Sequence, residues 1–352
     1  MQCASLTLFA FALAGQDSAP EMELSQEAPS ERLFIDKQHV RDTYSVTLEN
    51  DAFTGSDNNY TNGFALSWLA GPVNERPEWA ACRTWANIWS FLPMFMDGDG
   101  VSFVSISVGQ EMYTPEVITN PNPPETSQPY AGVLFADMSF AEKLPGYCHV
   151  WTIRAGLVGP SSQADNFQET VHKWIGAAQP QGWSTQLPDE PILNAEYSIA
   201  YEQIYRAKSE YIPEWRLVPV GGLSLGNYFT GASGAVYFES GWNLPAAVGA
   251  ITPRRGVDPL ALVDASQPSA SSFSAFFGLD GFAVGHYLPL DGTIFSDSRS
   301  VDSEPFLGFA SAGVSYRYGA FAVNFLLSKF TKAYATEETR GDFGTLTLSY
   351  SI

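Results

Sequence analysis

Apolar and polar residues alternate with a period of two along much of the chain. In 44–51, Tyr44, Val46 and Leu48 share one face, and Ser45, Thr47, Glu49 and Asp51 share the other. In 60–69, Phe64, Leu66 and Trp68 oppose Thr61, Gly63, Ala65 and Ser67. The last segment sets Leu346, Leu348, Tyr350 and Ile352 against Thr345, Thr347, Ser349 and Ser351. Such runs of about ten residues, with aliphatic and aromatic side chains opposite small or polar ones, are the pattern of a transmembrane β-strand. The pattern predicts strands over 42–50, 60–70, 101–111, 131–142, 147–158, 192–206, 212–224, 230–241, 272–286, 306–318, 320–331 and 341–352. Bacterial outer-membrane barrels likewise have an even number of strands.

A soluble β-sandwich is the competing reading. Arg154, Glu202 and Arg317 fall on the face opposite the aromatics. A small soluble barrel would have to bury those charges, whereas a membrane barrel places them in a polar interior. The expected fold is therefore all-β, a 12-stranded antiparallel transmembrane β-barrel with a short helix in an extracellular loop. With the first strand running outward, the connections 51–59, 112–130, 159–191, 225–229, 287–305 and 332–340 face the cell exterior. The connection 71–100 is long for a periplasmic turn, and Trp79, Trp85, Trp89, Phe91 and Met94 suggest an interfacial amphipathic helix there. The connection 242–271 is similarly long. The chain ends on Ile352 rather than on an aromatic residue, with Tyr350 two residues back.

Composition narrows the partners. With 18 Lys and Arg against 38 Asp and Glu, the net charge is −20, which excludes nucleic acid held by bulk charge. An aromatic share of 14% excludes a disordered acidic chain. A mean hydropathy of −0.07, with no mature apolar run of about 18 residues, excludes a helical membrane protein.

Residues 1–14, with an apolar run from Ala4 to Ala12 and Ala12-Leu13-Ala14 before Gly15, read as a secretory signal peptide, although Met1-Gln2-Cys3 carries no basic residue. Residues 15–41 read as a flexible periplasmic lead-in, and 42–352 as the barrel. Cys82 and Cys148 remain after removal of the signal, and both are expected on the periplasmic side, where they can pair.

The polar motifs converge on one rim. Asn50-Asp51 ends the first strand and Tyr60-Thr61-Asn62-Gly63 opens the second. A helix over Gln163 to Ala177 carries Gln168 and His172, four apart and so on one face. Of the four histidines, His39 and His149 are expected on the periplasmic side, while His172 and His286 reach the outer rim. His172, with a glutamine positioned to orient it, is the better general base. Asp51, Asp57, Asn58 and Asn59 supply hard oxygen donors suited to Ca²⁺. No nucleophile elbow is present, so a His-activated water beside a metal ion suits these residue types better than a covalent nucleophile.

Leu48-Glu49-Asn50-Asp51, Tyr60-Thr61-Asn62-Gly63, Gln110-Glu111-Met112-Tyr113-Thr114-Pro115, Pro129-Tyr130-Ala131-Gly132 and His172 followed by Gly182-Trp183-Ser184-Thr185-Gln186-Leu187 resemble the lipid A deacylase family of Gram-negative outer membranes. The resemblance spans about residues 42 to 352. It implies an outer-membrane enzyme that, with Ca²⁺, hydrolyses the ester holding the 3′-linked acyloxyacyl group of lipid A. It implies no protein partner, only lipopolysaccharide and membrane lipid. Carried over by position, His172 matches the water-activating base, Gln168 the glutamine one turn before it, and Asn50 and Asp51 the Asn-Asp pair, with Asp51 as Ca²⁺ ligand. Thr61 matches the hydroxyl residue opening the second strand. The chain departs from the family in having no Lys or Arg over 111–141, where a lysine is usual, and in Ser127-Gln128 before Pro129, where many relatives have Asp-Arg. An outer-leaflet phospholipase and a non-catalytic barrel are the alternatives.

Overall fold

Each strand runs antiparallel to its neighbours, and the sheet closes on itself. The computed structural model describes residues 42–54, 59–70, 100–144, 146–205, 211–244, 271–338 and 341–352. The first half of the wall is β1 (Thr43–Asn50), β2 (Asn59–Ala70), β3 (Val101–Thr114), β4 (Ala131–Leu144), β5 (Tyr147–Val158), β6 (Glu190–Tyr201) and β7 (Gln203–Tyr205). The second half is β8 (Glu214–Gly226), β9 (Phe229–Trp242), β10 (Ser272–Tyr287), β11 (Phe306–Tyr318), β12 (Phe321–Phe330) and β13 (Asp342–Ser351). β6 and β7 are one stave interrupted at Glu202, and both pair with β8. The pairing of β1 with β13 joins the chain ends of the wall, so the barrel has the twelve staves expected from the alternation.

The alternation becomes an inside and an outside. On β1, Thr43, Ser45, Thr47 and Glu49 are buried while Tyr44, Val46 and Leu48 are exposed. Inward hydroxyls meet across the staves: Ser45 with Ser349, Thr47 with Thr347 and Ser67 with Ser107, each at 2.9 Å. Outward aromatics ring the rim where β1 starts. Tyr44, Tyr201, Trp215, Trp242, Phe273, Tyr316, Phe321 and Tyr350 are all exposed there, as in the aromatic girdle of outer-membrane barrels. Tyr350 packs on Phe321 with ring centroids 4.8 Å apart, so it takes the girdle position that Ile352 does not fill.

The lumen is filled. Arg154 donates to both oxygens of Asp137 at 2.9 Å and to Glu111 at 3.0 Å, with its guanidinium 4.1 Å from the Phe135 ring centroid and 4.7 Å from that of Tyr228. Burial and the Glu111 carboxylate push the Tyr228 phenol well above its ordinary value, so it stays a donor, 2.5 Å from Glu111. Nearer the aromatic girdle, Lys143 and Arg216 clasp Glu202, and Arg216 also holds Glu239. Towards the other rim the inside is apolar, with Tyr113, Val133, Leu187, Leu288, Phe309, Phe330 and Phe343 in one cluster. Arg154, Glu202 and Arg317 thus lie inward, as their face requires.

Among the described residues no helix is long and apolar enough to cross a membrane. The helix expected at the interface over 71–100, the donors Asp57 and Asn58, the lead-in and Cys82 lie outside the described residues. Cys148 is buried.

Candidate active site

The connection between β5 and β6 carries helix α1 (Ala164–Ile175), two residues shorter at its C-terminus than the polar pattern suggests. Ala164, Gln168 and His172 are buried at four-residue spacing and form its inner stripe. Its other side leaves Phe167 and Trp174 exposed, Trp174 at 82%. Gly176 ends it at φ +72°, a left-handed conformation that favours glycine, and the backbone then folds back over His172.

α1 sits on the outside of the barrel wall. Asn50 pairs with Asn62, Asn62 with Met112, and Met112 with Gly132, so the four form one row across β1 to β4. Leu48, Leu66, Val108 and Leu134, on the same face further along these staves, are exposed, so the row faces outward. A side chain at Gly132 would collide with Ala164 and Ser162, the residues at the start of the helix. Met112 packs with Ala164, Tyr130 and Trp183 in a small cluster. Gln110, also on the outward face, donates to the Ser162 carbonyl at 2.6 Å. At a strand spacing of about 4.8 Å, the row from Asn50 to Gly132 spans roughly 14 Å.

His172 is 9% exposed, and its Nδ1 lies 2.5 Å from the carbonyl oxygen of Ala178. A carbonyl only accepts, so Nδ1 carries the hydrogen, and in the neutral ring Nε2 holds the lone pair. The orienting group is therefore Ala178, not Gln168 as the helical spacing suggested. Gln168 is 1% exposed and accepts the Trp183 indole N–H at 2.7 Å. Its Nε2 has no hydrogen-bond partner, and neither have the buried atoms Asp165 Oδ1, Gln179 Oε1 and Gln186 Oε1 in the same connection. Buried polar atoms are usually paired, so these are hydrogen-bonding positions that the protein itself leaves open.

Asp51 does not extend β1 but opens a 3₁₀ turn, Asp51–Phe53, and is 3% exposed. Thr54 pins that turn, its hydroxyl 2.7 Å from the Asp51 carbonyl and 2.9 Å from Asp342. The ladder between β2 and β3 shifts register between Tyr60 and Asn62, so Thr61 is the bulged residue beside the Asn50–Asn62 pair. The backbone positions of Asn50, Asp51 and Thr61 therefore fall at one corner of the rim, and Gln168 is connected to that corner through Trp183, Met112 and Asn62. Among the described residues no three His, Cys, Asp or Glu side chains converge as a metal centre. The other described histidines are engaged elsewhere, His149 with Glu142 at 3.1 Å and His286 with the Asn227 carbonyl at 3.0 Å.

Two partners went unassigned in the sequence. The Trp183 indole holds Gln168, and Gly132 seats α1. Both lie within quoted motifs, but only the register shows that Gly132 faces outward beneath the helix.

No curated protein matches the sequence. Among solved structures, LpxR from Salmonella typhimurium superposes with a TM-score of 0.68 at 15% identity, covering 88% of this chain and 100% of that one. At that identity the likeness concerns the fold. The beta domain of the Bordetella autotransporter BrkA gives a TM-score of 0.43 at 8% identity, covering 89% and 98% of the two chains. The family model described as outer membrane protein LpxR matches residues 3–352. The chain belongs to the LpxR family of outer-membrane proteins.

Proposed function

We propose that the protein is a Ca²⁺-dependent lipid A deacylase, an esterase that releases the 3′-linked acyloxyacyl group in the outer leaflet. The observation that carries this reading is the placement of the His172 helix on the outward face of the wall, where a lipid reaches it sideways from the membrane. Trp174, exposed on the same helix, has the amphipathic ring that settles at a membrane interface.

His172 is the general base. Its Nε2 takes a proton from water as the water oxygen adds to the ester carbonyl carbon. Collapse of the tetrahedral adduct breaks the bond to the sugar oxygen, and His172 returns the proton to that departing alkoxide. The products are a free acyloxyacyl acid and a sugar hydroxyl. Positioned proton transfer of this kind contributes about 10²- to 10⁴-fold. The Ala178 carbonyl holds the Nδ1 hydrogen and so keeps Nε2 as the basic nitrogen.

Asn50, Asp51 and Thr61 are the residues that would hold Ca²⁺. Their donors are all hard oxygens, and the Asp51 side chain is buried, so the set fits the ion. Bound there, the ion supplies positive charge for the oxyanion, a service that no Lys or Arg over 111–141 can give.

The test is incubation of the refolded barrel with lipid A, with and without Ca²⁺, read by mass spectrometry of the products. Loss of one acyloxyacyl group is expected, and its disappearance in His172→Gln with the folded barrel retained. Unimpaired turnover by His172→Gln would sink the mechanism, and lysophospholipid from a phospholipid substrate would replace lipid A as the substrate.

A further inference from the structure

We propose that the Gln168 amide is the donor that receives the scissile carbonyl, and that Trp183 is the positioning residue that turns the amide towards it. The proposal rests on the esterase reading above. An amide oxygen and nitrogen are hard to tell apart by shape, but the partner decides here. The Trp183 indole N–H can only donate, so the atom 2.7 Å away is Gln168 Oε1, and the NH₂ must point elsewhere. That NH₂ is buried in a side chain 1% exposed, and it has no protein partner. A buried donor left unmatched costs about 1–3 kcal/mol, so a carbonyl oxygen arriving there recovers a bond that the fold leaves open.

Position gives the group its task. Gln168 lies one helical turn before His172 on the buried stripe of α1, about 6 Å along the axis. A carbonyl oxygen received by the Gln168 amide nitrogen is therefore held within about one helical turn of His172, on the same stripe of the helix. The donor is neutral and fixed before the substrate arrives, which is what makes such groups effective when charge develops on oxygen. Trp183 itself is held by its ring, which packs on Tyr130 at 4.9 Å between centroids and clusters with Met112 and Ala164. The indole is thus anchored to the wall, and its one N–H fixes which end of the amide faces the substrate.

Two substitutions separate the donor from its support. Gln168→Glu keeps an oxygen for Trp183 but puts a carboxylate oxygen where the NH₂ stood. It is expected to lower kcat by about 10²- to 10³-fold, the loss typical of one oxyanion donor. Trp183→Phe keeps the ring against Tyr130 and Met112 and removes only the N–H. It is expected to lower kcat about tenfold with KM little changed, and to leave the pH dependence set by His172 where it was. If Trp183 only packs, Phe preserves kcat, and the positioning role is overturned. A Gln168→Glu protein within twofold of the wild-type kcat overturns the donor. Heat-modifiable migration on gels shows that each variant is a folded barrel.

A binding measurement keeps this proposal distinct from the esterase reading. The probe is lipid A with its 3′-ester replaced by an amide, which retains the carbonyl and resists hydrolysis. Its affinity is expected to fall at least tenfold in Gln168→Glu. If wild-type protein leaves lipid A intact but binds the amide probe in this Gln168-dependent way, the esterase reading fails and the donor assignment stands. Equal affinity in the two proteins, or no binding by either, overturns the donor assignment.

Discussion

Substituting Gly132 by valine tests whether the helix on the outside of the wall is part of the working site. A Cβ at this position falls well inside contact distance of Ala164 Cβ and Ser162 Oγ, where about 3.5–4.0 Å is normal between carbons. Something must retreat by on the order of 1 Å. The wall cannot, because Gly132 is in register with Met112 and its carbonyl accepts the Gly159 N–H at 2.9 Å. α1 can, since its main contacts with the wall are with β3 and β4. The overpacking costs about 1–3 kcal/mol, relieved by displacing the helix rather than by opening the barrel. The contact of His172 with Ala178 moves as a unit within the connection, so the base stays intact but is misplaced relative to Asn50 and Asp51. A misplacement of that size costs about 10² in rate, equivalent to about 2.7 kcal/mol of barrier. Initial rates of acyl release in detergent, alongside heat-modifiable migration, measure it. Gly221→Ala is the control, because a Cβ there meets nothing within 4 Å. Wild-type turnover by a folded Gly132→Val barrel would refute the argument that the helix seat positions the chemistry.

Three further outcomes follow from the geometry. Arg154→Met strands the buried carboxylates of Asp137 and Glu111, and it is expected to cost about 3–5 kcal/mol in chemical unfolding of the barrel in detergent; an unchanged midpoint would contradict the clasp. Chelation is expected to stop turnover, and Ca²⁺ to restore it with a half-maximal effect near 0.1–1 mM, because one carboxylate with neutral oxygens makes a low-charge site; activity unaffected by chelator would remove the ion from the reaction. In planar bilayers the protein is expected to show no steady conductance, since side chains fill the interior, and a sustained open channel would favour the non-catalytic reading.

The wall was legible because its code is local. Alternation places each residue inside or outside without reference to distant sequence, so β5 and β11 run as expected and most other staves differ by one to three residues at their ends. The interruption at Glu202 was not legible, because Lys143 and Arg216, which draw its carboxylate inward, come from other staves. Within the site, the shared helix face of Gln168 and His172 followed from their spacing, but their hydrogen bonds did not. A four-residue interval is equally compatible with a glutamine that orients the histidine and with one claimed by an indole fifteen positions on. The fold-back beyond Gly176, which brings the Ala178 carbonyl to His172, leaves no periodic mark at all. Gly132 carries the same lesson. A glycine opening a strand says little until register shows what lies above it.

The filled lumen and the outward site are two sides of one physical arrangement. A barrel that conducts needs a wet interior, whereas this one spends its interior on ion clasps, hydroxyl ladders and an aromatic plug that brace the wall against deformation. A rigid wall is what an external helix needs if its base and a corner of oxygen donors are to keep their spacing while lipid moves past. The outward row also explains why the polar residues Asn50 and Asn62 are tolerated on a face that otherwise meets hydrocarbon. They stand at the last outward positions before the rim, where the membrane gives way to headgroups and a desolvation penalty no longer applies in full. An acyl chain lying against Leu48, Leu66 and Val108 would thus bring its ester to the height of those residues, with the sugar above it and α1 alongside. On the proposed reading, the height of the polar row on the wall, more than any pocket, selects which ester of a membrane lipid can be reached. Moving that row by one pleat, with Leu48→Asn and Asn50→Leu together, is expected to abolish hydrolysis of lipid A while the barrel still folds. Retained cleavage at the original ester would show that the height of the row does not set the site.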